Sequence, residues 1–348
     1  MKRVVTFLAI VSLSVGSVFA AAKPSKEELR AKLIQRLEAH PVRKASYWST
    51  LREGERPKIG PASRDIIEYL LIDNVLNGFR ERPVPSKDMS MRDDLLAAWD
   101  SLPAKVRTLA AARLAGIFLV DDLGGSAYTE VVGDTSGTTV GAFMVMDAKV
   151  MNQPPNAWMS WKENTPFRDG AIRVDARIAP AGSKNRVASI RYLLLHELGH
   201  VIGETVGAHP PWGPAGTIGE IALSEYPFLD IGWQDNPDGK GVVTKYETGR
   251  LGKFAFYQPK ERRMANDTSI GGYRWLRTTP FATLYSLNSI YDDFAEAFAN
   301  YVHVEMLREP YSISVVEGDT VHLMYDACWD EPRCEKKRAW LEKLLGEG

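Results

Sequence analysis

Apolar residues between Val187 and Val201 recur three and four positions apart (Val187, Ile190, Leu193, Leu194 and Val201), the period of a helix with one buried face. The pattern predicts a long helix over Asn185 to Glu204. Shorter stretches read the same way. Ser25 and Glu28 form a capping box in front of a helix from Glu27 to His40. Asp65 to Asn77 is a second periodic stretch, stopped by Gly78. Pro103 to Ala115 predicts a helix with Gly116 at its end. Continuous apolar runs at Ile117 to Asp121 and Val140 to Asp147 predict strands. Ala171 to Ala179 predicts a half-buried strand, because Ile172, Val174, Ala176 and Ile178 alternate with polar residues. Residues 205–280 are rich in Gly, Pro and Trp and read as an irregular insertion with some strand. Further helices are expected at Tyr291 to Leu307 and Lys336 to Leu345.

This order of elements predicts an α+β chain. Residues 23–95 form an N-terminal helical region packed as a cap, and residues 96–348 form the main domain, which carries the insertion. A length of 348 residues with 45% hydrophobic and 25% charged composition suits one large globular domain with an appendage. The formal net charge of -1 argues against nucleic-acid or anionic-membrane partners.

The first 22 residues change the picture. Lys2 and Arg3 precede an apolar run from Val4 to Val15, and Val18-Phe19-Ala20-Ala21-Ala22 offers a small-residue cleavage site. That is the pattern of a secretory signal peptide, whose apolar run is short for a bilayer span. The mature chain is therefore expected in the periplasm or secreted, with no stable membrane anchor. The two cysteines, Cys328 and Cys334, read as a disulfide in such a compartment.

The candidate chemistry sits on the long helix, in His196-Glu197-Leu198-Gly199-His200. Residues four apart share a helix face, so both imidazoles can reach one metal ion, expected to be Zn2+. Glu197 is placed to act as general base on the water in the open coordination position. A catalytic zinc needs a third protein ligand. Asp292 and Glu296, also four apart, share a face of the second helix, and either carboxylate could complete the site. His209, just past the motif helix, is a weaker source of that ligand, and His303 reads as a packing residue.

His-Glu-Leu-Gly-His followed by Tyr285 and then Asp292-Asp-Phe-Ala-Glu296-Ala-Phe resembles the lethal-factor-like gluzincin metallopeptidases. The resemblance covers two helices and a loop, roughly a tenth of the chain. It implies a zincin-like domain with a small mixed sheet. It places Asp292 at the third-ligand position, Glu296 at the supporting acid, and Tyr285 at the tyrosine that steadies the developing oxyanion. The chain departs from that pattern in having Asp292 where the family has Glu, and in a much longer spacing between the helices. Glu296-Ala-Phe-Ala-Asn300-Tyr also resembles the second helix of aminopeptidase-type gluzincins, with Glu296 as ligand. The expectation is an exported zinc endopeptidase acting on a peptide or protein, with the strand before the motif helix lining its cleft. The alternatives are a zinc hydrolase of cell-wall or other small amides and a non-catalytic zinc-bearing binding protein.

Overall fold

The computed structural model describes residues 25–49, 51, 55–212, 222–238, 241–246, 254–257 and 259–346. The expected signal segment and part of the insertion lie outside them. Elements follow in chain order as α1 (Lys26–Ala39), β1 (Ile59–Pro61), α2 (Arg64–Asn77), β2 (Val84–Pro85), α3 (Met91–Asp100), α4 (Ala104–Ala111), β3 (Leu114–Asp121), β4 (Ala127–Gly133) and β5 (Thr139–Asp147). Then come α5 (Pro155–Asn164), β6 (Ile172–Arg177), α6 (Val187–Thr205), β7 (Trp233–Asp235), β8 (Val242–Thr244), α7 (Thr268–Leu276), α8 (Ile290–Tyr301), β9 (Ser312–Glu317), β10 (Thr320–Asp326) and α9 (Glu335–Leu345). The architecture is mixed α+β. No helix among the described residues is long and apolar enough to cross a membrane.

The apolar runs of β3 and β5 are buried on both faces, and their alternation builds two cores. Ile117, Leu119, Met144 and Met146 join one core with α3, α4 and α6. Phe118, Val120, Phe143 and Val145 join the other, with Leu37 of α1 and Tyr69 and Leu70 of α2. The sheet order is β1-β3-β5-β4, parallel except for β4, and β2 lies antiparallel on β3. The N-terminal region thus adds two strands to the sheet as well as two helices to its face. The expected capping box is present, with Ser25 and Glu28 bonded reciprocally, and Gly78 ends α2 in a left-handed conformation at φ 78°.

Three expectations are corrected. The helix expected over Pro103 to Ala115 stops at Ala111, and Leu114 to Gly116 already belongs to β3. Gly116 is a close-approach residue there, because a Cβ would lie 2.9 Å from the Phe118 ring and 3.1 Å from the Lys58 carbonyl. The alternating strand before the motif helix does form, as β6, but it pairs with β9 in a separate antiparallel sheet, β10-β9-β6. The strand beside the motif helix is β4, for which no element was expected. The C-terminal cysteines form a disulfide, with Cα atoms 5.8 Å apart, as expected.

Helices α6 and α8 cross with their backbones nearly touching at Gly199. A Cβ there would lie 2.7 Å from Ala295 Cα and 3.2 Å from its carbonyl oxygen. Because a main chain cannot step aside, Gly199→Ala is expected to destabilise the fold. The strain, about 1–3 kcal/mol or more, should exceed the ~1 kcal/mol that alanine gains in helix propensity. A lower urea midpoint at unchanged slope checks this; an unchanged midpoint would mean that the helices separate freely.

Candidate metal centre

Helix α6 presents His196 and His200 on one face, with their Nε2 atoms 3.2 Å apart. Asp292 is at the third position of α8, where the Ser289 cap fixes it. The Asp292 N–H donates to Ser289 Oγ at 3.0 Å, and Ser289 Oγ donates back to Asp292 Oδ2 at 2.6 Å. Asn288 Nδ2 donates to the same oxygen at 2.8 Å. Oδ2 is thereby occupied and Oδ1 is left facing both histidines, 3.7 Å from each Nε2. Tetrahedral bonds of ~2.0–2.1 Å would put ligand atoms about 3.3 Å apart, so the spacing suits a small divalent ion. This buried trio, with ligand atoms within 4.8 Å of one another, could hold a metal. Burial, with His196 and His209 close by, holds His200 well below its ordinary range, so it stays neutral as a ligand must.

Glu296, one turn after Asp292, faces the other side of His196. Its Oε1 lies 3.1 Å from His196 Nδ1. The same oxygen accepts from Lys162 Nζ at 3.0 Å, and Oε2 accepts from Thr283 Oγ1 at 2.8 Å. Burial would push this carboxyl up, but Lys162, His196 and Thr283 outweigh it and hold it at about 2. Glu296 therefore stands behind His196, outside the trio that could hold a metal. Lys162 itself is buried on α5, shared between Glu296 and Glu163, whose Oε2 accepts the Tyr273 hydroxyl at 2.5 Å.

Glu197 sits on the β4 side of α6, where the Thr129 hydroxyl donates to its Oε2 at 2.5 Å. Burial raises its carboxyl above the usual range, against the pull of His196 and Thr129. A cavity of about 30 Å³ opens beside His196 and Glu197, walled also by Lys162, Tyr257 and Tyr285, with room for one or two waters. Tyr285 stands with its ring 5.4 Å from that of His196. Burial raises its hydroxyl well above the ordinary range, so it is a proton donor there.

The structure thus brings together all six singled-out residues: His196, Glu197, His200, Tyr285, Asp292 and Glu296. His209 stands outside the trio, packed on Tyr291 and Gly203 with its Nδ1 3.0 Å from the Pro210 carbonyl oxygen. His303 packs against Tyr192, as expected. Sequence reasoning missed Thr129, Lys162, Glu163, Thr283 and Tyr257. One signal was available: Trp158 and Lys162 are four apart, which puts the lysine on the buried stripe of its helix.

No protein-family model matches the chain, and neither curated proteins nor solved structures show a significant match.

Proposed function

We propose that the protein is an exported zinc-dependent peptidase of the lethal-factor-like gluzincin type. One observation carries the reading: three candidate ligand atoms converge from α6 and α8, while the Glu197 carboxylate, fixed by Thr129, borders a small cavity beside one of them, His196. His196, His200 and Asp292 would hold the zinc, which when bound supplies Lewis-acid activation of a water and of the substrate carbonyl. Glu197 would take a proton from a water as the water oxygen adds to the carbonyl carbon. It then gives the proton to the nitrogen that leaves, so that one water is consumed per peptide bond broken. The Tyr285 hydroxyl donates toward the oxyanion.

The test is metal analysis by mass spectrometry on the purified protein, together with peptide hydrolysis before and after chelation. Near-stoichiometric zinc and chelator-sensitive hydrolysis are expected. A protein that takes up no metal on reconstitution would sink the proposal.

Lys162 supplies a sharper check on the supporting acid. Without it, Glu163 and Glu296 would be two buried carboxylates with no cation, and one would take up a proton. Lys162→Met is expected to weaken metal binding about 10–100-fold, the loss typical of a broken support behind a histidine ligand. Competition with a colorimetric chelator reads it. Unchanged affinity in a folded variant would show that Glu296 does not act through Lys162.

A further inference from the structure

Hydrogen bonding between β4 and β5 fixes which backbone groups of β4 face outward. Asp147 N donates to Ser126 O at 3.0 Å, and the register pairs Tyr128 with Val145 and Glu130 with Phe143. Even-numbered residues therefore bond inward to β5, and the main chains of Ala127, Thr129 and Val131 point away from it, to a side where no strand pairs among the described residues. That open edge is short. Val131 N–H donates to the Oε1 of Glu130 at 3.0 Å, and Arg43 Nε lies 3.3 Å from the same oxygen. Tyr69 and Tyr128 hydroxyls hold Oε2, and Lys44 bridges Gly133. The segment around Pro41–Arg43 thus stops the edge at Val131. Ala127 and Tyr128 stay half-buried, whereas Thr129 to Val132 are buried. An extended peptide could pair with Ala127 and Thr129 and go no further along the strand.

The wall at that end carries a carboxylate. Glu204 lies seven residues beyond Glu197 on the same face of α6, about 10 Å along the axis. Its Oε1 accepts the hydroxyl of Thr139, the residue paired with Gly133. Its Oε2 is buried, and the Trp212 main chain also bonds to this carboxylate, which burial raises above the usual range. The charged residues described at this end are Glu130, Asp134 and Glu204 against Lys44 and Arg43, and Arg43 is paired with Glu130. The surplus is one negative charge, which attracts an ammonium and repels a carboxylate.

Resting on the peptidase reading above, we propose that the cleft is closed at the Gly133 end and takes substrates by a free amino terminus, which meets Glu204. About 10 Å of cleft holds roughly three extended residues, so the released fragment is a single residue or a short peptide. This narrows the expected endopeptidase to an enzyme acting from the amino end. It also sets the direction of the bound chain: with its amino end at Gly133 the substrate runs antiparallel to β4, the commoner pairing. The carboxyl side leaves past Ala127, toward an open pocket of about 390 Å³ between Tyr257, Trp161 and Arg80.

The experiment uses zinc-loaded full-length mature protein and peptides long enough to overhang both ends of the cleft. They are prepared free, N-acetylated and C-amidated, with products read by mass spectrometry. Free and C-amidated peptides are expected to lose about one to three residues from the amino end. Acetylation is expected to lower kcat/KM about 10-fold or more, as loss of a charged hydrogen-bonded pair does. Glu204→Gln should remove most of that preference, chiefly through KM, with metal content unchanged. Internal cleavage of acetylated peptides at an undiminished rate, or release from the carboxyl end, would overturn the inference and leave the peptidase reading intact. No cleavage of any peptide by the loaded protein would overturn both.

Discussion

Replacing Glu197 by glutamine is expected to lower kcat on a cleaved peptide by about 10³-fold while leaving the zinc content unchanged. Glutamine is isosteric, and its amide oxygen can still accept the Thr129 hydroxyl that fixes Oε2 at 2.5 Å. What it cannot do is accept a proton from water or return one to the leaving nitrogen. The metal trio does not include Glu197, so binding should survive. Two measurements on one preparation decide the matter: single-turnover cleavage followed by mass spectrometry, and metal per protein. A rate within a few fold of the parent would remove Glu197 from the chemistry and the hydrolase reading with it. A fall in zinc would instead make Glu197 a ligand or a structural support. The peptide used should carry a free amino end, so that a poor substrate is not mistaken for a slow enzyme.

How much of this centre was legible in the sequence depends on how local each constraint is. The His196 and His200 pair follows from helical spacing alone. So does the candidacy of both Asp292 and Glu296, which share a face of α8. Their different surroundings do not follow, because they depend in part on residues far away in the chain. Ser289 and Asn288 hold one oxygen of Asp292, whereas Lys162 of α5 and Thr283 hold Glu296 on the far side of His196. The strand β4 was missed for a related reason. Its Tyr128 and Glu130 look like exposed polar positions, yet with Arg43 and Tyr69 they form a polar cluster in which Glu130 is buried and Tyr128 half-buried. The alternation of β6 was read correctly as a half-buried strand but assigned to the wrong neighbour. Its partner β9 lies more than a hundred residues downstream, and alternation does not say which strand pairs with which. Gly116 shows the same limit at one residue: a glycine after a helical stretch resembles a stop, and only the approach of Lys58 shows that it serves a strand.

The C-terminal helix should matter more to the fold than its position at the end of the chain suggests. Lys337 of α9 reaches Asp293 of α8, the residue after Asp292 of the candidate trio, with Nζ 2.5 Å from Oδ1 and both side chains wholly buried. Trp233, from the β7 strand of the insertion, donates its indole N–H to Oδ2 at 3.0 Å. The lysine also lies over the rings of Phe228 and Phe281, at 4.9 and 4.7 Å. Burial raises the Asp293 carboxyl and lowers the Lys337 amine, each against its partner's pull, so either group alone would be driven to give up its charge. Lys337→Met is therefore expected to destabilise the protein by about 3–5 kcal/mol, since it strands a buried acid. Adding Asp293→Asn should recover much of the loss, because a neutral amide can still accept the Trp233 N–H. Urea unfolding of the parent, both single variants and the double variant measures the coupling. Additive losses would show that the pair contributes no mutual stabilisation, and that α9 is held by its apolar contacts and by the Cys328–Cys334 loop instead. A recovered double variant would show that this one buried pair ties α8, the insertion and the C-terminal helix together beside the carboxylate of the candidate metal trio. In that case the single variants should also lose metal affinity and the double variant regain it.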